Sequence, residues 1–263
     1  MSDAWRAGEW LRVAESDLPL VTDLPSLLGS EGGALVLAPH PDDESLGCGG
    51  LLAACAAAGR SARVLVISDG TGSHPRSKAW PPARLAALRR EETGAAIERL
   101  GLDPGRDLGF LGFPDTAVPK EGPGFDEAVR KVLEFAGAGP VSLFCTWEHD
   151  PHCDHAASFA VALAAARSLP HGTRLFAYPV WGLAFAYPIP GFPLPPEPLV
   201  PAPPRGLRLD IRRQLEAKRQ AVAAHLSQTS ALIDDDPGGF RLPPEALALA
   251  FRPQELFLEE ALR

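Results

Sequence analysis

The chain has 263 residues, of which 46% are hydrophobic and 22% charged, and its formal net charge is -8. This composition excludes disordered and fibrous proteins and predicts a single α/β domain over residues 1–263, with an ordinary buried core. The acidic balance argues against a nucleic-acid partner, because binding polyphosphate needs a concentrated Lys/Arg surface.

In chain order, short apolar runs alternate with longer segments of helical composition. Residues 1–32 are expected to form a leading helix and loop, and Ser45 is expected to cap the first helix of the domain core. Five strands are predicted at 34–38, 62–68, 108–111, 141–146 and 173–178. Five helices are predicted at 46–60, 81–100, 125–136, 156–167 and 209–227.

Strands that alternate with helices predict a Rossmann-like, mostly parallel sheet with helices on both faces. In such sheets the functional site forms in the loops beyond the carboxyl ends of the strands. The loops after strands 34–38 and 141–146 are both rich in His and Asp. We therefore expect these two loops to meet at one edge of the sheet.

An insertion at residues 179–206 is dense in proline but also carries Trp181, Phe185, Tyr187 and Phe192. Flexible linkers rarely have so much apolar surface, so we expect an ordered rim or a subunit contact rather than a free linker. A homo-oligomer is therefore an expectation of the sequence.

The localisation expected from the sequence is cytoplasmic. The first residues, Met-Ser-Asp-Ala-Trp-Arg, lack the pattern of a secretion signal, and the longest apolar run, residues 51–58, is too short to span a membrane. No CxxC pair occurs, and the cysteines are expected to be buried thiols: Cys48, Cys55, Cys145 and Cys153.

The motif His40-Pro-Asp-Asp-Glu44 stands at the end of the first predicted strand. A loop that leaves a strand there can direct His40 and Asp43 toward one metal ion, while Asp42 faces the open coordination position. The second motif, His149-Asp-Pro-His-Cys-Asp-His155, can bring a third ligand across the sheet. Two His and one carboxylate are an ordinary ligand set for catalytic zinc. Either motif alone is more often a solvated surface loop, but the pair favours a metal site.

These motifs resemble those of the PIG-L/LmbE-like zinc-dependent de-N-acetylases. The resemblance covers roughly residues 34 to 230 and includes further landmarks in the same order: Ser68-Asp-Gly-Thr, Ser73-His74, Arg89-Arg-Glu-Glu92, Phe110-Leu-Gly-Phe-Pro-Asp115, Tyr178-Pro-Val-Trp181 and Ala224-His-Leu-Ser-Gln228. It implies one Zn²⁺ per chain, with Fe²⁺ as the alternative, and removal of an N-acetyl group from an N-acetylglucosamine derivative. The expected partner is thus a small N-acetylated sugar conjugate.

The resemblance also implies residue roles. The metal ligands would be His40, Asp43 and His155, and the catalytic residues Asp42, His152 and Asp154. Asp42 would act as general base, and protonated His152 would stabilise the oxyanion. Asp154 would orient His152 or a ligand. Cys153 occupies a position where the family commonly has proline, and we expect its thiol to point away from the metal.

Arg89 and Asp115 are candidates for binding sugar hydroxyls, although residues 89–92 also fit a solvated helix face. His74, His149 and His225 fit either the cleft or ordinary packing. Two other functions remain open from the sequence: a metal-dependent phosphoesterase, which would need a second metal, and a non-catalytic zinc-containing binding protein.

Overall fold

The computed structural model describes residues 4–170 and 172–262. Residues 1–3, which begin the predicted leading segment, lie outside the described part, as do His171 and Arg263. The single domain expected over 1–263 therefore stays a prediction at these positions.

The described residues contain ten strands, eleven α-helices and one 3₁₀ helix at Thr71–Ser73. The strands are β1 (Trp5–Arg6), β2 (Leu20–Val21), β3 (Gly33–Ala38), β4 (Ala62–Ser68), β5 (Leu108–Phe113), β6 (Val141–Thr146), β7 (Arg174–Tyr178), β8 (Leu199–Val200), β9 (Gly206–Asp210) and β10 (Gln254–Glu260). The helices are α1 (Ala7–Asp17), α2 (Pro25–Leu28), α3 (Asp43–Ala57), α4 (Pro82–Arg99), α5 (Pro104–Asp107), α6 (Gly122–Ala136), α7 (Cys153–Ser168), α8 (Leu183–Ala186), α9 (Leu215–Ala224), α10 (Leu226–Thr229) and α11 (Pro244–Ala250).

Eight strands form the main sheet, in the order β2-β9-β10-β7-β6-β3-β4-β5. The strands from β7 to β5 run parallel to one another, and β10 is antiparallel to both of its neighbours. Two apolar clusters lie on opposite faces of the sheet, because alternate residues of β3 belong to different clusters. The predicted fold class, a mostly parallel α/β sheet with helices on both faces, is confirmed.

The prediction of a helix over residues 209–227 is wrong at its amino-terminal end. Residues 206–210 form β9, in which Leu207 and Leu209 are buried while their neighbours are partly exposed. This alternation suits a strand that has β10 beside it, and the helix begins only at Leu215. Ser45 is also not a cap, because α3 already begins at Asp43.

The insertion packs against the amino-terminal helix of the same chain. Its strand β8 pairs with β1, the Arg12 guanidinium donates to the Ala186 carbonyl at 2.9 Å, and the Trp10 indole donates to the Ala202 carbonyl at 2.7 Å. Several separate contacts thus hold the insertion against the rest of the domain. Among the described helices, none is both long and apolar enough to cross a membrane.

Strand β10 is joined to α3 and to α9 by one buried carboxylate, that of Glu255. Glu255 of β10 accepts hydrogen bonds from the backbone N–H groups of Gly50 and Leu51 at 2.7 and 2.8 Å. The Lys218 ammonium of α9 lies 2.7 Å from the same carboxylate, and both side chains are only 2% exposed. A buried charge with this many partners fixes the sheet relative to α3 and α9.

Candidate functional site

The two His/Asp-rich motifs meet at the carboxyl ends of β3 and β6. These strands are adjacent and parallel, with Val36 paired to Phe144, so the loops that follow them leave the sheet at the same edge. The first loop leads into α3 and the second into α7. The arrangement of the strands confirms the prediction that the two loops lie together at one edge of the sheet.

The three residues expected to bind metal lie together. Asp43 Oδ2 is 3.2 Å from His40 Nδ1 and 3.3 Å from His155 Nε2. All three side chains are largely shielded from solvent, and His155 is fully buried. Burial opposes ionisation of Asp43, but the two imidazoles outweigh it and hold its pKa well below the usual range.

His155 is oriented by Asp150, a residue to which the sequence analysis gave no role. His155 Nδ1 lies 3.0 Å from Asp150 Oδ2. Burial lowers the pKa of His155, but Asp43 and Asp150 outweigh this effect and raise it to about 9. With Nδ1 bound to Asp150, Nε2 is the nitrogen left for the cluster, and it has no hydrogen-bond partner although it is buried. A carboxylate behind a histidine with an unpartnered inner nitrogen is the usual arrangement at a metal ligand.

His152 is a third imidazole in the same cluster. Its ring centroid is 4.5 Å from that of His40 and 5.3 Å from that of His155, and nitrogens of the three rings are close enough to hold one metal ion. Its Nδ1 accepts a hydrogen bond from the Asp154 backbone at 3.2 Å, which leaves Nε2 to carry the proton. Burial and the neighbouring imidazoles lower the pKa of His152 to about 4. This lowered pKa favours the neutral ring, and a protonated His152 in the reaction stays a prediction.

Asp154 and Asp115 both contact the outer nitrogen of His40. His40 Nε2 lies 3.3 Å from Asp154 Oδ2 and 3.2 Å from Asp115 Oδ1. Asp154 is itself fixed by the backbone N–H groups of Thr116 and Val118 at 2.7 and 3.1 Å. The Asp154 side chain therefore orients His40 rather than His152. Its carboxylate, Asp115 and His40 also form a second group of donors with metal-ligand spacing.

Asp42 is held in an uncommon backbone conformation, with φ 138° and ψ -25°. Only a few per cent of residues other than glycine have positive φ, and such strain is typical of functional sites. Two contacts stabilise it: the Asp42 N–H donates to Glu44 Oε2 at 3.0 Å, and the Arg89 guanidinium donates to Asp42 Oδ2 at 3.1 Å. Burial raises the pKa of Asp42 to about 7, although Arg89 opposes this shift.

Arg89, expected to bind substrate, is only 3% exposed and points its guanidinium at protein groups. Besides Asp42 it donates to the carbonyls of Gly70 and Pro41. Arg89 lines the cavity, but it donates at least three hydrogen bonds to other groups of the protein. These contacts place Arg89 as a support for Asp42, and a role in binding sugar stays a prediction.

A buried histidine and a glutamate stand behind Asp42. His225 Nε2 lies 3.1 Å from Glu44 Oε1, which also accepts from the Ser45 hydroxyl at 2.7 Å. Both His225 and Glu44 are fully buried, so His225 occupies a packing position rather than the cleft. Sequence reasoning gave Glu44 no role, and its place in the His40-Pro-Asp-Asp-Glu44 motif was the one available signal.

His74, His149 and the four cysteines belong to neither group of possible metal donors. His74 is buried beside Ser73, and His149 packs edge-on against Trp147. Cys48, Cys55 and Cys145 are buried thiols as expected, but Cys153 is exposed, which corrects that expectation. The Cys153 sulfur lies 3.8 Å from the Thr116 carbonyl, and its direction relative to a bound metal stays a prediction.

A cavity of about 310 Å³ opens onto this cluster. Polar residues from the two motifs and from the loop after β4 line one part of it, and aromatic residues line another. The lining residues are His40, Asp42, Asp43, Gly72, Ser73, Arg89, Asp115, Thr116, Pro151, His152, Trp181, Phe192, Pro193, Gln228 and Phe240. The cavity therefore joins an ionisable cluster to an apolar surface, as ligand sites commonly do.

Comparison with known proteins gives several relatives that are named as deacetylases. The 2'-N-acetylparomamine deacetylase of Streptomyces fradiae is 34% identical over 123 residues, which span 42% of this chain and only 44% of that protein. The 1D-myo-inositol 2-acetamido-2-deoxy-alpha-D-glucopyranoside deacetylase of Rhodococcus opacus (strain B4) is 28% identical over 76% of this chain and 83% of its own length.

Among solved structures, the N,N'-diacetylchitobiose deacetylase of Pyrococcus horikoshii aligns with a TM-score of 0.65 and 18% identity. The alignment covers 95% of this chain and 89% of that one, which shows a shared fold. The family model described as PIG-L: GlcNAc-PI de-N-acetylase matches residues 35–166, half of the sequence and the part that carries both motifs. The chain therefore belongs to the PIG-L family.

Proposed function

We propose that this protein is a metal-dependent hydrolase that removes the N-acetyl group from an amino sugar conjugate, such as an N-acetylglucosamine derivative. The observation that carries the proposal is the position of Asp42. It lies in the same cavity as His40, Asp43 and His152, next to a cluster that suits a metal ion. The relatives named above act on N-acetylated amino sugars, which supports the same reaction here.

The residues proposed to hold the metal are His40, Asp43 and His155. The unpartnered buried Nε2 of His155 and the shared carboxylate of Asp43 fit such an ion. Zn²⁺, or Fe²⁺ as the alternative, would act as a Lewis acid toward the attacking water and the acyl oxygen. An amide is a weak electrophile, so the reaction benefits from activation of both partners.

Asp42 is proposed to accept the proton of the attacking water and to return it to the leaving amine. Arg89 and Glu44 hold Asp42 in place through its carboxylate and its backbone N–H. His152 carries its proton on Nε2, and this N–H can stabilise negative charge on the acyl oxygen as the bond to water forms. Asp154 keeps His40 oriented through its outer nitrogen.

The experiment is acetate release from a panel of N-acetylglucosamine conjugates, measured after reconstitution with Zn²⁺ or Fe²⁺. We expect Asp42→Asn to lower the rate about 10²- to 10⁴-fold, as for loss of a general base, with metal content unchanged. Asp126→Asn, the same change on an exposed face of α6, is the matched control. No release from any conjugate would refute the reaction, and full activity after chelation would refute the metal requirement.

Two alternative functions are a metal-dependent phosphoesterase and a non-catalytic zinc-containing binding protein. The second donor group, formed by His40, Asp115 and Asp154, is the one observation that favours a two-metal phosphoesterase. However, His40 is shared by both groups, and both Asp154 oxygens already accept backbone hydrogen bonds. We therefore keep deacetylation as the proposal, and phosphate release from phosphomonoesters is the assay that would favour the alternative. A zinc-containing binding protein would need no base at Asp42.

We also propose a cytoplasmic location, because three cysteines are buried as thiols, which suits a reducing compartment. Self-association through the insertion stays a prediction. Light scattering of the purified chain would test it.

A further inference from the structure

Three aromatic side chains line one side of the cavity that contains His40 and Asp42. Trp181 and Phe192 come from the insertion, and Phe240 comes from the loop between α10 and α11; we call these three residues the aromatic wall. The ring centroids of Trp181 and Phe192 are 5.0 Å apart with 18° between the planes, and those of Trp181 and Phe240 are 5.5 Å apart at 88°. The three rings therefore form one continuous apolar surface.

The aromatic wall is fixed in position relative to the proposed metal ligands. The backbone N–H of Trp181 donates to Asp150 Oδ2 at 3.1 Å, and the same oxygen lies 3.0 Å from His155 Nδ1. The Phe240 N–H donates to the Ser73 carbonyl at 2.6 Å. A surface that is held this way needs little reordering when a ligand binds, which favours affinity.

Apolar residues also support the rings from behind. Trp181 and Phe240 pack against a small buried cluster that contains Leu46 and Leu242, and Phe192 packs with Ala184 and its neighbours. All three rings nevertheless remain partly exposed, because their other side faces the cavity. The aromatic wall thus has a supported back and an open front.

The acetyl group that the proposed reaction transfers to water is too small to cover this surface. It consists of one methyl group and one carbonyl, whereas the cavity has a volume of about 310 Å³, close to the lower limit for sites that hold a whole drug-sized ligand. The hydroxyl groups of a sugar suit the polar part of the cavity, which includes Ser73, Gln228 and Asp115. The group that remains to cover the aromatic wall is the substituent that the sugar carries.

The aromatic wall contains no charged side chain, unlike the rest of the cavity. Three carboxylates, Asp42, Asp43 and Asp115, line it together with one guanidinium, Arg89. Arg89 already donates to Asp42 at 3.1 Å and to two backbone carbonyls, and its buried Nε has no partner among the described residues. An uncharged apolar group meets neither repulsion nor a desolvated charge at the aromatic wall.

We propose that the aromatic wall binds an uncharged, aromatic aglycone attached to the anomeric carbon of the N-acetylated amino sugar, and that it selects substrates carrying such a group. This inference rests on the deacetylase function proposed above and specifies its substrate class. Flat faces of Trp and Phe bind an aromatic group by offset stacking or edge-to-face contact.

The test compares kcat/KM for phenyl and methyl N-acetylglucosaminides in the metal-reconstituted enzyme. The wild type is expected to prefer the phenyl glycoside roughly 10- to 100-fold, the usual range for one well-filled apolar contact. Trp181→Ala should remove this preference while it changes kcat/KM for the methyl glycoside less than about threefold. Tyr187→Ala is the matched control, because Tyr187 is an aromatic residue of the same insertion that does not line the cavity. Phe192→Ala should repeat the effect if Trp181→Ala unfolds.

Three results would overturn the inference. Equal losses on both glycosides would mean that the sugar ring itself stacks on Trp181. A Trp181-dependent preference for N-hexanoyl over N-acetyl methyl glycoside would assign the surface to the acyl chain instead. Equal activity of the wild type on both glycosides would show that the aglycone is not recognised.

Binding of phenyl glucosaminide separates this inference from the proposed reaction. This ligand has a free amine, so its binding can be measured without turnover. Calorimetry should show tighter binding than for methyl glucosaminide, and the difference should disappear in Trp181→Ala. If this holds while no conjugate releases acetate, the deacetylase function fails but the aglycone site stands. If acetate is released and the two glucosaminides bind equally, the aglycone site fails alone.

Discussion

Replacement of Asp150 by Asn tests whether the position of His155 depends on a carboxylate behind it. Asp150 is 4% exposed and accepts four hydrogen bonds. Oδ2 lies 3.0 Å from His155 Nδ1, and it also accepts from the N–H groups of Val180 and Trp181 at 3.0 and 3.1 Å. Oδ1 accepts from the Gly182 N–H at 2.8 Å.

An asparagine cannot satisfy all four donors. If its amide oxygen replaces Oδ2, its NH₂ group faces the Gly182 N–H, so two donors oppose each other. If the amide is reversed, the NH₂ group faces His155 and two backbone N–H groups. The first orientation is less unfavourable, but it removes the negative charge that stabilises the ring of His155.

Loss of a hydrogen bond to a charged group costs about 1.5 to 3 kcal/mol. Because about 1.4 kcal/mol corresponds to a factor of ten, Asp150→Asn should weaken metal binding about 10- to 100-fold, in agreement with the usual effect of removing a residue that orients a metal ligand. We expect kcat/KM for acetate release at limiting metal to fall in parallel.

The assay is competition with a chelator of known affinity, combined with denaturant unfolding of the metal-free protein. Asp236→Asn is the matched control, because Asp236 is 2% exposed and accepts backbone hydrogen bonds from Arg76 and Gly238 without touching a proposed ligand. If Asp150→Asn binds metal as tightly as the wild type and unfolds at a similar denaturant concentration, His155 does not need this carboxylate, and the reasoning is wrong.

Three further predictions concern the support of Asp42, the packing of α3 and the partly buried carboxyl group of Glu260. His225→Leu removes the contact with Glu44 and should lower kcat about tenfold or more while metal content stays constant. His225→Gln should restore part of the rate. Unchanged kcat in both variants would refute a role of His225 in supporting Asp42. Gly47→Ala places a Cβ 2.1 Å from the Tyr178 ring and should lower the free energy of unfolding by about 1 to 3 kcal/mol in urea titrations. Burial and a nearby carboxylate raise the pKa of Glu260 from 4.5 to about 7. Between these pH values the folded state therefore binds more protons than the unfolded state, and the free energy of unfolding should fall as pH rises. Glu260→Gln should remove that part of the pH dependence in unfolding midpoints measured at pH 5 and 7.5, and an identical slope would contradict it.

The sequence by itself determined the central sheet and the region of the site. The bounds predicted for strands 62–68 and 141–146 agree with the structure, because an apolar run flanked by polar or turn residues specifies a buried strand locally. The position of the two motifs after neighbouring parallel strands followed from the same alternation. This position of the motifs was enough to predict that His40, Asp43 and His155 lie in one cluster.

Only the tertiary structure decided what surrounds those residues. Glu44 and His225 are 181 positions apart, and Asp150 reaches the backbone of Gly182 across 32 positions, so neither pairing leaves a periodic pattern in the sequence. Strand β9 was missed for the same reason: five residues with a weak alternation become a strand because β10, more than 40 residues later, supplies the hydrogen-bond partners. Local composition specifies elements, whereas hydrogen bonds and packing between distant segments specify how a side chain is held, and these exist only once the chain has folded.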